Sequence, residues 1–438
     1  MSELIQKLKS REARVGVIGL GYVGLPLATA FGDVGFEVLG FEVDQNKIDA
    51  INRGESYILD VTSDEVKTLV DKGKLRATGD FAELTSCDAI SVCVPTPLRK
   101  TRDPDLTYIV AATERIKEFL RPGQVVILES TTYPGTTVEV VAPALVEGGL
   151  ELGRDVHLAF SPERIDPGNA VFQVKNTPKV IGGMTPGCNE AARTLYESII
   201  ERVITVSSPT AAEMVKLLEN TFRAVNIGLV NEVAIIANKL NLDVWEIIDA
   251  AASKPFGYMP FYPGPGLGGH CIPIDPHYLS WKLRTLNYRT RFIELADDIN
   301  SHMPDYVVDK VGYALNEDGK PLRGSKVLVL GVAYKRDITD WRESPAAPVI
   351  EGLLGRGAQV EYHDDYVPTF RLGGHGDGAT LHSVPLDYAA LGDYDCVLIV
   401  TDHKYLDAEQ IVRNARRVVD TRNLTGQLGR EDPKVIKL

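Results

Sequence analysis

Cysteine is scarce in this chain of 438 residues: five, at 87, 93, 188, 271 and 396, an odd number with no Cys-x-x-Cys pair. That excludes a disulfide scaffold or a cysteine zinc framework, and it fits a reducing compartment. Positive charge is also in deficit, with 47 Lys and Arg against 60 Asp and Glu and a net charge of −13. So acidic a chain is a poor general partner for nucleic acid or an anionic membrane, although a local phosphate site remains open to it. No run approaches the ~18 uninterrupted apolar residues of a membrane span. The opening MSELIQKLKSREA mixes acids and bases without an apolar core, so no signal peptide is expected. What is present is ordinary: 44% hydrophobic and 24% charged residues, with length for two to three domains at about 150 residues each. These features predict a soluble cytoplasmic protein.

Strand-like and helix-like stretches alternate from the start. RVGVIGL (14–20), FEVLGFEVD (36–44), DAISVCVP (88–95) and GQVVILEST (123–131) read as strands with helical segments between them, which predicts an open parallel sheet. At 207–241 the texture becomes one long helix, with Thr210 and Glu213 at capping-box spacing. Residues 255–276, with six prolines and five glycines, cannot be helix or strand interior. YLSWKLRTLN and RFIELADDINSHM read as helices, and the α/β texture returns at KVLVLGVAY. The expected fold is α/β, with two doubly wound Rossmann-like domains joined by a central helical domain with a long helix. The expected boundaries are 1–205, 206–315 and 316–438.

Gly19-Leu20-Gly21-Tyr22-Val23-Gly24 follows a strand and opens a helix, and Glu42 ends the next strand. Gly19 permits the turn, Gly21 lets backbone approach a pyrophosphate, and Gly24 lets helix and sheet pack. A carboxylate at Glu42 would accept from ribose hydroxyls and repel a 2′-phosphate, favouring NAD over NADP. The plainer alternative is a tight turn with a solvated acid. Cys271 lies between glycines and a helix start, where a thiol is readily a thiolate and attacks aldehydes, or it is a buried structural thiol. Asp275-Pro276 is either a helix cap or a catalytic acid, and His270 a loop hydrogen-bonder rather than a metal ligand; no metal site is expected. Lys216 and Asn220 share a helix face, either to hold an oxyanion and a hydroxyl or as a solvated face with Glu213 paired to Lys216. Glu163 in SPER ends a strand and is either a base or a partner of Arg164, while Glu129 and Thr131 end another strand, where a cofactor would lie. Before the Tyr334–Asp337 loop, Gly331-Val332-Ala333 lacks the second fingerprint glycine, so that half either binds a mononucleotide part or only packs.

Seven blocks in one order, GLGYVGLPLA, SVCVPTP, ESTTYPGTT, SPER, KLLENTFRAVNI, GPGLGGHCIPIDP and YKRDITDWRES, resemble the nucleotide-sugar 6-dehydrogenases along nearly the whole chain. The resemblance implies an NAD-linked, four-electron oxidation of a UDP-sugar CH₂OH to a carboxylate. It implies Cys271 as nucleophile, Lys216 as oxyanion holder with Asn220 beside it, Asp275 and Thr131 handling water and protons, and Glu163 in thioester hydrolysis. Around NAD it implies Gly19, Gly21, Tyr22, Val23, Gly24, Glu42, Lys47, Pro95, Thr96, Thr131 and Arg342. Around the UDP-sugar it implies Glu163, Arg164, Lys216, Asn220, Tyr262, Gly266, Gly268, Lys335 and Arg422, and it implies a homodimer or higher homo-oligomer, the dimer formed through the long helix.

The departures are informative. Where the UDP-glucose branch has lysine, serine and a second glutamate, this chain has Ile274, His270 and Pro167; an expected arginine before the loop is absent, leaving Lys254 as the nearest cation. This is similar to the N-acetylhexosamine branch, and the cysteine loop to its UDP-N-acetylglucosamine members, which serve surface-polysaccharide synthesis. The alternatives are the same chemistry on UDP-N-acetylmannosamine, UDP-N-acetylgalactosamine or UDP-glucose. More remote are a two-electron dehydrogenase of hydroxy acids and an NAD-binding protein without chemistry.

Overall fold

The computed structural model describes residues 2–58, 60–99, 103–164, 171–373 and 378–438; Pro167 lies outside them. The chain divides into two compact units, Met1–Glu219 with His277–Tyr288, and Asn220–Pro276 with Arg289–Leu438.

The first unit is built on eight strands: β1 (Arg14–Ile18), β2 (Glu37–Phe41), β3 (Leu75–Thr78), β4 (Ala89–Val92), β5 (Val125–Leu128), β6 (His157–Phe160), β7 (Lys179–Gly183) and β8 (Val203–Val206). Their order is β3-β2-β1-β4-β5-β6-β7-β8. Val15, Val17, Ile90, Val126 and Ile127 are buried, because helices cover both faces of a parallel sheet, and this is why these strands read as unbroken apolar runs. The sheet is not parallel throughout: β7 runs antiparallel to β6, with Phe160 opposite Gly182. No helix occurs among the described residues between them, and without a crossover helix a strand returns antiparallel. Three residues beyond the end of β6, this brings Glu163 towards Lys179.

The second unit has a five-stranded parallel sheet of β9 (Lys326–Leu330), β10 (Gln359–His363), β13 (Cys396–Ile399), β14 (Val418–Asp420) and β15 (Val435–Lys437), in the order β10-β9-β13-β14-β15. A separate antiparallel pair is formed by β11 (Thr369–Arg371) and β12 (Thr380–His382). Helix Arg291–Asn316 continues past Met303, where the sequence reading ended, with Pro304 inside it. A proline there costs about 3 kcal/mol. Burial of Met303, Val307, Val308 and Val311 offsets this, at roughly 1.5–3 kcal/mol for each such side chain.

The long helix spans Pro209–Lys239. Its cap differs from expectation. Ser208 Oγ accepts from Ala211 N at 3.2 Å, with Pro209 at the first helical position. Glu213 neither closes a capping box with Thr210 nor pairs with Lys216. Its buried carboxylate accepts from Gly135 N (2.5 Å), Thr137 N (2.9 Å) and Thr137 Oγ1 (2.7 Å), tying the helix to the turn after β5.

Candidate active site

In the first unit the turn after β1 is shaped for a ligand. Gly19 has φ +86°, and a Cβ there would lie 2.6 Å from the Cys93 carbonyl oxygen. At Gly24 a Cβ would lie 1.8 Å from the Gly19 carbonyl oxygen, so helix and turn close only over glycine. Gly21 is different: a Cβ there meets nothing within 4 Å. Its own packing does not demand glycine, whereas a pyrophosphate on the backbone would. The residues therefore fit a dinucleotide. Tyr22 is half-exposed, and Val23 immediately precedes the helix that starts at Gly24.

Glu42 is buried at the end of β2. Its oxygens accept from Leu20 N at 3.1 Å, Val43 N at 2.9 Å and Asp44 N at 3.3 Å, with Lys47 Nζ 3.6 Å away. It is thus no solvated acid but the clamp of the glycine turn. Tyr57 donates to the Leu20 carbonyl at 2.7 Å from the other side, and burial raises its phenol above the ordinary value. Pro95 and Thr96 follow β4, and the Thr96 carbonyl accepts from Tyr278. Thr131 follows β5 and is partly buried.

Glu129 lies in the interior of the first unit. It is fully buried, 2.6 Å from Lys179 Nζ, and accepts from the Tyr196 hydroxyl. Burial raises the Glu129 carboxyl, against the pull of Lys179. Lys179 also reaches Glu163 at 3.4 Å. Sequence reasoning missed this lysine. The signal was a charge heading an otherwise apolar strand, KVIGG. Arg164 does not pair with Glu163 through its side chain: it grips Glu219 of the long helix at 2.6 and 3.2 Å and the Pro178 carbonyl at 2.5 Å. Its backbone N–H donates to Glu163 at 2.7 Å. Lys216 is buried on the long helix, not on a solvated face.

In the second unit Asn220 and Asp275 are both buried, and Asn220 Nδ2 donates to Asp275 Oδ2 at 2.5 Å. Cys271 lies at the turn that opens helix Asp275–Thr285, its carbonyl accepting from Ile274 N (3.1 Å) and Asp275 N (2.8 Å). It is exposed, whereas Cys87, Cys93, Cys188 and Cys396 are buried. Burial raises the Cys87 and Cys396 thiols to about 12, so neither is a thiolate at neutral pH. The loop before Cys271 is packed through its glycines. Gly266 has φ +138°, a Cβ on Gly268 would stand 3.0 Å from Pro345, and one on Gly269 3.0 Å from the Tyr334 ring. Gly264 N donates to Asn231 Oδ1 at 2.9 Å. Tyr262 stacks on Trp245 and donates to Asp249 at 3.0 Å.

His270 is a hydrogen-bonder, Nε2 to Asp340 at 2.8 Å, and Arg342 holds the same carboxylate through two nitrogens at 2.9 Å. Those partners outweigh burial and keep Asp340 well below the ordinary carboxylate value. Arg422 follows β14 and donates from Nε to the Val400 carbonyl at 3.1 Å; burial and nearby Arg336 lower its guanidinium to about 10. Lys335 lies in the loop after β9 and is partly buried. Asp364, ending β10, accepts from Val332 N (2.8 Å), Ala333 N (3.0 Å) and His403 Nε2 (3.0 Å). It repeats in this unit the clamp that Glu42 forms in the first.

No grouping of His, Cys, Asp and Glu suited to a metal occurs among the described residues, and none of their helices is long and apolar enough to cross a membrane. A glycine cradle at the carboxyl edge of a parallel sheet, backed by a strand-end acid, defines an NAD-dependent oxidoreductase of the Rossmann class. The chain belongs to the UDP-glucose/GDP-mannose dehydrogenase family. It matches the NAD binding domain of that family at residues 13–200, the central domain at 210–302 and the UDP binding domain at 328–427. It is 36% identical over 406 residues to the UDP-N-acetyl-D-glucosamine 6-dehydrogenase of Pseudomonas aeruginosa, covering 92% of this chain and 94% of that one. To the UDP-N-acetyl-D-mannosamine dehydrogenase of Escherichia coli strain K12 it is 39% identical over 353 residues, covering 77% and 82%. The solved UDP-D-ManNAc dehydrogenase of Pyrococcus horikoshii superposes with a TM-score of 0.86 at 33% identity, covering 97% and 98%. The chain is a nucleotide-sugar 6-dehydrogenase.

Proposed function

We propose that the substrate is UDP-N-acetyl-D-glucosamine and that its C6 hydroxymethyl is oxidised to the uronic acid through a covalent intermediate on Cys271. Bound NAD supplies the hydride acceptor, twice per sugar. In the first oxidation the alcohol loses a hydride and a proton, and Lys216 and Asn220 hold the oxygen on which charge develops. The Cys271 thiolate adds to the aldehyde, forming a C–S bond, and a proton completes the thiohemiacetal. Loss of a second hydride and proton leaves a thioester. Water then adds, the C–S bond breaks, and the acid and the free thiol result. Thr131 and Asp275 manage protons, and Glu163 orients the water. Lys47, Thr96 and Arg342 belong with the cradle around NAD; Arg164, Tyr262, Gly266, Gly268, Lys335 and Arg422 belong with the UDP-sugar.

The observation that carries this reading is the exposure of Cys271 beside a helix start, while the other four thiols are buried. The name of the Pseudomonas relative supports the N-acetylglucosamine substrate. The Escherichia and Pyrococcus relatives favour UDP-N-acetylmannosamine as the second reading. We read the chain as three domains, 1–205, 206–315 and 316–438, working in the cytoplasm in surface-polysaccharide synthesis. We also read it as a homodimer. Leu218, Phe222, Leu229 and Ile236, exposed at helical spacing along the long helix, support that assembly.

The test is the NADH yield at completion with each UDP-sugar. Two NADH and a uronate from UDP-N-acetylglucosamine, with little from the mannosamine epimer, is the expected result. The converse moves the substrate to the epimer, and one NADH with a carbonyl product overturns the covalent route.

A further inference from the structure

We propose that Lys179 is the positioning residue for Glu163, holding its carboxylate ionised and aimed at the water that releases the product; this rests on the role given to Glu163 above. The step served is thioester plus water giving carboxylic acid plus Cys271 thiol. A C–O bond forms, the C–S bond breaks, and the water proton passes by way of Glu163 to the departing Cys271 sulfur, which restores the thiol.

The placement follows from the fold. β6 and β7 pair antiparallel at Phe160 and Gly182, and three residues after the one and three before the other this brings Glu163, just beyond β6, towards Lys179. Their atoms lie 3.4 Å apart. Lys179 is itself fixed, because its ammonium sits 2.6 Å from the buried Glu129, which accepts from the buried Tyr196 hydroxyl. Tyr196 in turn lies 3.3 Å from Ser91 of β4. Burial alone would lower the Lys179 ammonium; Glu129 and Glu163 outweigh it and raise it, so the cation persists. Glu129 is 0% exposed in its side chain, Lys179 6% and Glu163 17%. The outermost member is the one offered to solvent, while the inner pair balances its own charge. Among the described residues, the groups facing this centre include Cys93 after β4, Glu129 after β5, Arg164 beside Glu163, Lys179 on β7 and Tyr196 on the helix Pro186–Tyr196. Arg164 pairs with Glu219 through its guanidinium.

The experiment compares acid release with the initial NADH burst in rapid-quench assays of the full-length enzyme. Lys179→Met strands Glu129, so the double variant Lys179→Met with Glu129→Gln is made alongside to keep the interior neutral. In the double variant we expect acid release to slow at least ~30-fold, with the burst retained and KM for the UDP-sugar within about twofold. The acidic limb of the release rate should rise by about one pH unit, because a cation within 4 Å lowers a carboxyl by ~1–3 units and removing the Glu129 anion with it takes back part of that change. Lys179→Arg should keep release within about fivefold of wild type. Wild-type release in the double variant overturns the inference, and so does slow release with an unmoved acidic limb. Glu163→Gln separates the two readings. If it releases acid at the wild-type rate, the role of Glu163 itself fails; if it is slow while the double variant is fast, only the Lys179 inference fails.

Discussion

Asn220 and Asp275 are 55 residues apart in the chain and joined by a 2.5 Å hydrogen bond between buried side chains. The amide donates, so the carboxylate is the natural acceptor. Asp275→Asn sets an amide against an amide and removes the proton acceptor while keeping the volume. We expect kcat to fall on the order of 10²–10³-fold, with NAD affinity and Tm nearly unchanged. Steady-state kinetics and a melting curve check it, and a kcat within threefold of wild type sinks the assignment.

Thiol accessibility gives a second prediction. Under native conditions iodoacetamide should label about one thiol per chain, at Cys271, because burial shields the other four. Cys271→Ala should reduce native labelling to near zero and abolish uronate release. Peptide mass spectrometry reads the site directly. Rapid labelling of any second cysteine contradicts the exposure pattern.

The two glycines of the cradle should separate packing from binding. Gly24→Ala forces a Cβ to 1.8 Å from the Gly19 carbonyl, which helix and strand cannot relieve without moving apart. We expect it to cost roughly 3 kcal/mol or more of stability. Gly21→Ala enters open space, so Tm should hold while NAD binding weakens more than ~10-fold. Thermal melts paired with calorimetric titration decide it, and a destabilised Gly21 variant with normal NAD affinity refutes it.

Lys310 offers a pH prediction away from the site. It is buried on helix Arg291–Asn316, over the Tyr306 ring, and burial lowers its ammonium to about 8. A lysine with a lowered native pKa opposes folding most below pH 8, where it is charged in both states. The penalty fades as pH rises from 8 towards the unfolded value near 10.5. Lys310→Met should therefore stabilise the protein by about 1–3 kcal/mol at pH 7, with the gain vanishing near pH 11. Denaturant melts across that range test the sign. A variant less stable at pH 7 would show that the ammonium is held by favourable contacts.

Much of the fold was legible because buried parallel strands leave unbroken apolar runs, as in KVLVL and VVIL, and because glycine in the first turn has a steric reason. In the sequence Pro304 signals a break, but tertiary burial overrides that local preference and the helix Arg291–Asn316 runs through it. Glu213 was misread for a related reason. Spacing alone offers Thr210 and Lys216 as partners, but the carboxylate finds N–H groups 76 and 78 residues earlier in the chain. Lys179 escaped notice because its partners, Glu129 and Glu163, meet it only once β7 turns back against β6. Pairings made by topology leave little trace in local sequence.

The clamp at Glu42 bears on cofactor engineering. Exchanging the strand-end acid for a neutral or basic residue is the obvious first step toward a phosphorylated nicotinamide cofactor. Here the same carboxylate receives the N–H groups of Leu20, Val43 and Asp44. A single exchange would strand the buried Leu20 N–H of the phosphate turn, while the exposed Val43 and Asp44 can turn to water, so a retargeted enzyme must bring a replacement acceptor for Leu20.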